Sequence, residues 1–229
     1  MNVLEIKNLS KSFDDKKIID NVSFSIGQGK LVGLLGKNGS GKTTIIKLIN
    51  DLLTIDQGDV KICGEKVGVK SKALVSFLPE RTYLDTSNSV KQVLDFFESF
   101  YTDFDRKKAV KLLTDLDLDE NAKLSKMSKG MKEKVQLVLV MSRNAKLYVL
   151  DEPLGGVDPS TREIILDTIL TNLSEGSSML ITTHLISDVE RILDEVVIID
   201  KGTIVLKGDA DEIRQKENCS IDQLFRRLV

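Results

Sequence analysis

Leu31-Val32-Gly33-Leu34-Leu35 runs directly into Gly36-Lys37-Asn38-Gly39-Ser40-Gly41-Lys42-Thr43, and a helix-compatible stretch, Thr43 to Leu52, follows. A short, wholly apolar run is the pattern of a strand buried on both faces of a parallel sheet. The octet matches GxxxxGK[ST] and stands where its chemistry requires, after a strand and before a helix. Its glycines let successive N–H groups turn inward around phosphate oxygens, and the helix adds its positive N-terminal end. Gly36, Lys37, Asn38, Gly39, Ser40, Gly41, Lys42, Thr43 and the following Thr44 therefore form a candidate phosphate cradle. Lys42 supplies a point charge for the β- and γ-phosphates of a nucleotide, and Thr43 a hydroxyl for Mg²⁺. Accident produces this pattern in roughly one chain of this length in a hundred, which weighs against a glycine-rich turn that merely carries a surface lysine.

Outward from this stretch, Lys146–Leu150 and Ser178–Thr182 are also short and mostly apolar, and Val196–Ile199 is a fourth such segment. The first of these runs into Asp151-Glu152 and the second into Thr183-His184, so three strands deliver polar groups to one edge of an α/β sheet, where such sheets bind ligands. Asp151 is placed to hold the Mg²⁺ from the side opposite Thr43, through water. An acidic pair after a strand is as readily a turn or helix-cap pair; the phosphate loop gives it weight. Ser89–Tyr101, Arg106–Leu116 and Thr161–Leu173 read as helices. Val3 to Ile26 alternates apolar and polar residues around Asp14-Asp15, as half-exposed antiparallel strands do.

The chain has 229 residues, no internal repeat and no long linker, which favours a single domain over residues 1–229. Lys and Arg total 33 against 35 Asp and Glu, for a net charge of -2, so the molecule as a whole does not attract nucleic acid or anionic lipid. Cys63 and Cys219 have neither CxxC spacing nor histidine neighbours, which excludes a zinc ribbon or disulfide framework and points to a reducing cytosol. The apolar runs fall far short of the roughly 20 residues that cross a bilayer.

Met127-Ser128-Lys129-Gly130-Met131-Lys132, an apolar helix, and then Leu147-Tyr148-Val149-Leu150-Asp151-Glu152-Pro153 resemble the signature and Walker B motifs of ATP-binding cassette (ABC) ATPases. Phe13, Glu80, Gly155-Gly156-Val157-Asp158 and His184 stand where that family has an adenine-stacking aromatic, a Q-loop, a D-loop and a switch histidine. The SKGM signature and Leu78-Pro79-Glu80 look like those of bacitracin- and lantibiotic-type exporter ATPases of bacteria. The resemblance implies an α/β P-loop NTPase core with a mainly parallel sheet, an N-terminal antiparallel β-subdomain, and an inserted helical subdomain over about residues 78–145.

It further implies an ATP-hydrolysing transporter subunit, acting in export, peripheral on the cytoplasmic face of the membrane. Its partners would be a transmembrane permease on a separate chain and a second ABC ATPase subunit, identical or different, with no nucleic acid. In that scheme Glu152 is the general base or water polariser, and His184 contacts Glu152 and the γ-phosphate. Phe13 stacks on adenine, Glu80 reaches Mg²⁺ with Thr43 and Asp151, Ser128 and Gly130 meet ATP bound to the second copy, and Asp158 of the D-loop joins the nucleotide-binding set. Residues Arg81–Ser89 would face the membrane subunit, and the amphipathic stretch Leu185–Leu193 follows the switch histidine.

Each reading has a plainer competitor: Phe13 as a core aromatic, His184 as a structural histidine, and Ser128 as an N-cap with Glu133 and Lys134 on the exposed side of its helix. Lys129 and Met131 depart from the commoner signature, and Glu80 replaces a glutamine. Ile221, Leu224, Phe225 and Leu228 form a narrow stripe that packs back on the domain or meets a partner. Two other functions compete. A non-transport ABC ATPase acting on nucleic acid would need tandem cassettes or coiled-coil insertions, and a small-molecule P-loop kinase would leave Ser128–Met131 and His184 without a shared purpose.

Overall fold

The computed structural model describes residues 1–229. The chain opens with the antiparallel hairpin expected around Asp14-Asp15, β1 (Asn2–Phe13) and β2 (Lys16–Gly27). Then follow β3 (Leu31–Leu35), α1 (Lys42–Ile49), β4 (Gln57–Ile62), β5 (Glu65–Lys66), α2 (Val69–Leu74) and β6 (Val75–Leu78). The middle is helical, with α3 (Val90–Phe100), α4 (Arg106–Asp115) and α5 (Lys129–Met141). The chain returns through β7 (Leu147–Asp151), α6 (Pro159–Asn172), β8 (Ser178–Thr183), α7 (Ile186–Val189), β9 (Glu195–Asp200) and β10 (Thr203–Asp209). It ends in α8 (Ala210–Glu217) and α9 (Ile221–Leu228).

Two sheets result. One is antiparallel, in the order β2-β1-β4-β5, and the other runs β10-β9-β3-β8-β7-β6, parallel except for the β9–β10 edge pair. The alternation of side chains along the central strands divides two cores. Val32 and Leu34 of β3, with Leu147 and Val149 of β7, face α1 and the antiparallel sheet; Leu31, Leu35, Tyr148 and Leu150 face the helical side. Both faces are covered, which is why these strands read as unbroken apolar runs rather than as alternations.

The strand order sets the site. Because β3, β8 and β7 are adjacent and parallel, their carboxyl ends place the Gly36–Thr43 loop, His184 and Asp151-Glu152 side by side, with β6 bringing Glu80 to the same edge. Most of the longer helices begin with a side-chain cap: Ser89 on α3, Asp105 on α4, Ser128 on α5, Asp158 on α6, Asp209 on α8 and Ser220 on α9. Helix α1 begins instead at Gly41 with φ 111° and no side-chain acceptor, so its first N–H groups stay available to an anion.

Only the first part of Leu185–Leu193 is helical. Helix α7 stops after one turn at Val189, because the chain must turn into β9, and the Asp194 carboxylate at that turn accepts a bond from the Leu31 N–H at 2.7 Å. The terminal stripe packs inward on its own domain: Ile221, Leu224 and Phe225 are buried, and Leu228 alone of the four is exposed.

Candidate functional site

Gly36 lies so close to Ser40 Oγ and the Ile199 carbonyl that a Cβ there would meet them at 2.4 and 2.5 Å, so only glycine closes this turn. The Lys42 side chain curls back along the loop, its ammonium donating to the Gly36 carbonyl at 2.6 Å and the Lys37 carbonyl at 3.2 Å. Lys37 itself turns the other way, bonding the carbonyl of Val229 past the end of α9. The Ser40 hydroxyl is buried without a hydrogen-bond partner.

Asp151 ends β7 almost fully buried and accepts a bond from Thr182 Oγ1 at 2.7 Å. Burial pushes its carboxyl above the usual range, Glu80 and Glu152 add to the shift, and hydrogen bonds from Thr182 and Thr43 oppose it. Glu152 then leaves the strand in the left-handed region at φ 51°, held by bonds from its N–H to the Thr182 carbonyl and hydroxyl, both at 3.1 Å. That kink turns its side chain away from Asp151 and toward the loop. Its carboxylate lies 3.6 Å from the Lys42 ammonium and 2.9 Å from His184 Nδ1, with the Lys42 and Glu152 side chains only 6% and 10% exposed. One carboxylate oxygen, Oε1, is buried with no hydrogen bond.

Lys42, Glu152 and His184 line a cleft of about 1170 Å³ together with Phe13, Asn38, Gly39, Gly41, Thr43, Thr44 and Glu80, while Gly36, Lys37, Ser40 and Asp151 lie behind its surface. Phe13 is 43% exposed, so it is no core aromatic, and the Lys11 ammonium stands 5.5 Å from its ring. Five cations face the cleft (Lys16, Lys42, Arg81, Lys129 and Lys132) against two carboxylates, Glu80 and Glu152, in a chain of net charge -2. The local field favours a polyanion. Of these cations only Lys42 was assigned a phosphate by the motifs; Lys16 and Arg81 carry no motif, and their signal is charge alone. Arg81, Thr82, Leu84 and Thr86, from the segment expected to face a membrane subunit, line this cleft as well.

Ser128, Gly130 and Asp158 do not reach the cleft of their own chain. They line a separate groove of about 310 Å³ with Met131, Lys134, Gly156, Val157 and Thr161. Ser128 does cap α5, accepting from the Met131 N–H at 3.2 Å, and Asp158 caps α6, where bonds from Ser160 and Thr161 hold its carboxyl well below the usual range. The expectation that Glu133 lies on the exposed side of α5 fails. Its side chain is 18% exposed and Oε2 is buried, because α5 rolls that face onto the ends of β6 and β7.

The residues present fit a hard divalent cation held jointly with phosphate. One buried carboxylate, Asp151, has the Thr43 hydroxyl beside it, and no group of three His, Cys, Asp or Glu side chains could hold a metal without a phosphate.

A family model described as "ABC transporter" matches residues 19–155. The chain is 30% identical over 217 residues to the ABC transporter ATP-binding protein YtrB of Bacillus subtilis, spanning 93% of this chain and 74% of that protein. It is 30% identical over 231 residues to the Nod factor export ATP-binding protein I of Burkholderia lata, covering 97% and 76% respectively. Among solved structures, an ATP-binding subunit of an ABC transporter superposes with a TM-score of 0.89 at 28% identity over 99% of both chains. A nucleotide-free ATP-binding cassette superposes with a TM-score of 0.79 at 25% identity, covering 95% of this chain and 96% of that one.

Proposed function

Since the chain belongs to the ABC transporter family and is a transport ATPase, we propose that its cleft binds Mg-ATP and that Glu152 and His184 carry the hydrolytic step. The observation that supports this most is the contact chain Lys42–Glu152–His184, in which two strand-end side chains and the phosphate-loop lysine share one nearly buried carboxylate. The γ-phosphate takes the place of Gly36 and Lys37 carbonyls around the Lys42 ammonium, and Phe13 offers its exposed face to the base. Freed from Lys42, the Glu152 carboxylate orients a water toward phosphorus and takes its proton, while His184, bonded to the same carboxylate, holds the γ-phosphate oxygens.

Thr43 and Asp151 would hold Mg²⁺, with Glu80 contributing through water, and the ion would supply neutralisation of phosphate charge. Ser128, Gly130 and Asp158, on a groove of their own, serve ATP bound to a second cassette, so one chain holds half of each site. No helix of the chain is long and apolar enough to cross a membrane, which suits a subunit that drives a permease on a separate chain. Export is the direction we favour, since the Burkholderia lata relative is named for export.

Equilibrium titration of Lys42→Ala tests the cleft. The variant should melt within a few degrees of the parent and lose high-affinity Mg-ATP binding. A folded Lys42→Ala protein that binds Mg-ATP as tightly as the parent overturns the assignment.

A further inference from the structure

Behind the end of β7 lies a small space in which Glu133 and Gln136, two polar side chains with no part in the chemistry above, meet the acids that have one. Its volume is about 20 Å³, and it is bounded by Glu133 and Gln136 of α5, Glu80, and Asp151 and Glu152. The Gln136 side chain is 2% exposed, and its Nε2 has no hydrogen-bond partner; neither does Glu133 Oε2, nor Glu152 Oε1, whose cation neighbour is the Lys42 ammonium at 3.6 Å, outside hydrogen-bond distance. Positions 133 and 136 are three apart and share a helix face, so both side chains reach the space from the same side. An amide donor without an acceptor and two carboxylate oxygens without a hydrogen bond thus belong to side chains that line one space. A water needs roughly 10–15 Å³ and two to four polar partners, and this space supplies both.

We propose that the space is a site for one water molecule, and that Gln136 and Glu133 are positioning residues that hold the Glu152 carboxylate through it. The inference rests on Glu152 acting on the attacking water, as set out above. The bound water accepts from Gln136 Nε2–H and donates to Glu133 Oε2 and Glu152 Oε1, which satisfies all three orphaned atoms at once. The Gln136 amide N–H donors suit a water rather than a cation on the α5 side of the space.

The other oxygen of Glu133, Oε1, lies 3.6 Å from the Lys129 ammonium, which stands against Gly156. Lys129, Glu133, the water and Glu152 therefore form a polar connection from the first turn of α5 to the acid. Ser128 and Gly130 occupy that same turn, and Gln136 follows Ser128 by eight residues, roughly 12 Å along the helix. A shift of α5 that accompanies engagement of its N-terminus moves the water, and with it the carboxylate. Lys129, Glu133 and Gln136 thereby acquire a common purpose: they tie the orientation of the acid to the position of α5.

Steady-state hydrolysis of Mg-ATP tests this with Gln136→Leu, which removes the donor at nearly constant volume. We expect kcat to fall about tenfold with KM for ATP within about twofold, the split expected when a positioned acid is disturbed after ATP has bound. Glu133→Leu should match it, the double variant should be no slower than the slower single, and Glu133→Gln, which keeps an acceptor oxygen, should retain most of the activity. Unchanged kcat in Gln136→Leu, or losses that multiply in the double variant, overturns the proposal. If Gln136→Leu does not fold, Gln136→Met replaces it. A high-resolution crystal structure of the wild-type chain decides independently: one water within hydrogen-bond distance of Gln136 Nε2 and Glu133 Oε2 supports the site, and a Gln136 amide bonded elsewhere refutes it. A wild-type chain that fails to hydrolyse Mg-ATP would sink the catalytic reading of Glu152, while the density would still decide the water site.

Discussion

Replacing Glu152 by Gln changes one atom of the Lys42–Glu152–His184 chain, and its two effects separate cleanly. The carboxylate and the Lys42 ammonium are 3.6 Å apart and nearly buried. At an effective dielectric of 20 their Coulomb attraction is about 4–5 kcal/mol, which an arriving γ-phosphate must replace. Gln keeps the shape and a carbonyl oxygen but releases Lys42 and removes a negative charge beside the γ-phosphate. Recovery of about a third of that energy tightens ATP binding about tenfold.

Hydrolysis moves the opposite way. Loss of a positioned base costs about 10²–10⁴ in rate, or about 3–5 kcal/mol of barrier. Phosphate release under single-turnover conditions, with an equilibrium titration of ATP on the same preparation, reads both effects. A Glu152→Gln protein that hydrolyses ATP within about threefold of the parent, or binds it more weakly, would refute the reasoning.

His184→Ala should leave the ATP dissociation constant within about threefold and lower kcat by about 10² or more, because the imidazole acts on docked ATP; steady-state assays check it, and unchanged kcat returns His184 to a structural role. Asp151→Asn should trade activity for stability. Burial raises the Asp151 pKa in the folded chain, so its favourable contribution is full below the unfolded value and is lost as pH rises through the raised one. At pH 7 in chelator the Asn variant should therefore melt above the parent, with the gap narrowing as pH falls toward the carboxylate range, while Mg²⁺-dependent hydrolysis disappears. Calorimetry across pH reads the first part; an Asn variant that melts below the parent at pH 7 contradicts it.

How much of this was legible before the fold depended on whether the signal was local. The strand-loop-helix of Leu31–Ile49 announces itself because the phosphate loop, the buried strand before it and the helix after it are contiguous. Strand β6 is hard to read because Ser76 interrupts its apolar run; that hydroxyl is paired with the Val140 carbonyl at 2.8 Å, a partner 64 residues away. Arg143 was likewise silent, although it is buried against Asp103 with two bonds of 3.0 Å and lies 3.9 Å from the Tyr101 ring. Nothing local marks a residue whose partners come from other elements. Glu133 misleads for the opposite reason: charge and a place in the second turn of a capped helix suggest solvent, and only the packing of α5 on β6 and β7 buries its Oε2. The motif residues split between a cleft, lined by Lys42, Thr43, Glu152 and His184 from strand ends and the loop after β3, and a groove lined by Ser128, Gly130 and Asp158 from the starts of α5 and α6, whose other side at Lys129 and Lys132 turns to the cleft.

That split makes the association state the most direct test of the central claim, that each chain carries half of two shared sites. Mass measured by light scattering during size exclusion should show Glu152→Gln as a dimer in saturating Mg-ATP and mostly a monomer in ADP, since binding that favours only the paired form shifts the equilibrium toward it. Adding Ser128→Arg, which thrusts a long cation out of the groove beside Gly130, should return the protein to monomer without releasing ATP from Lys42 and Thr43. A Glu152→Gln chain that stays monomeric in Mg-ATP both alone and with a second cassette protein would contradict the account.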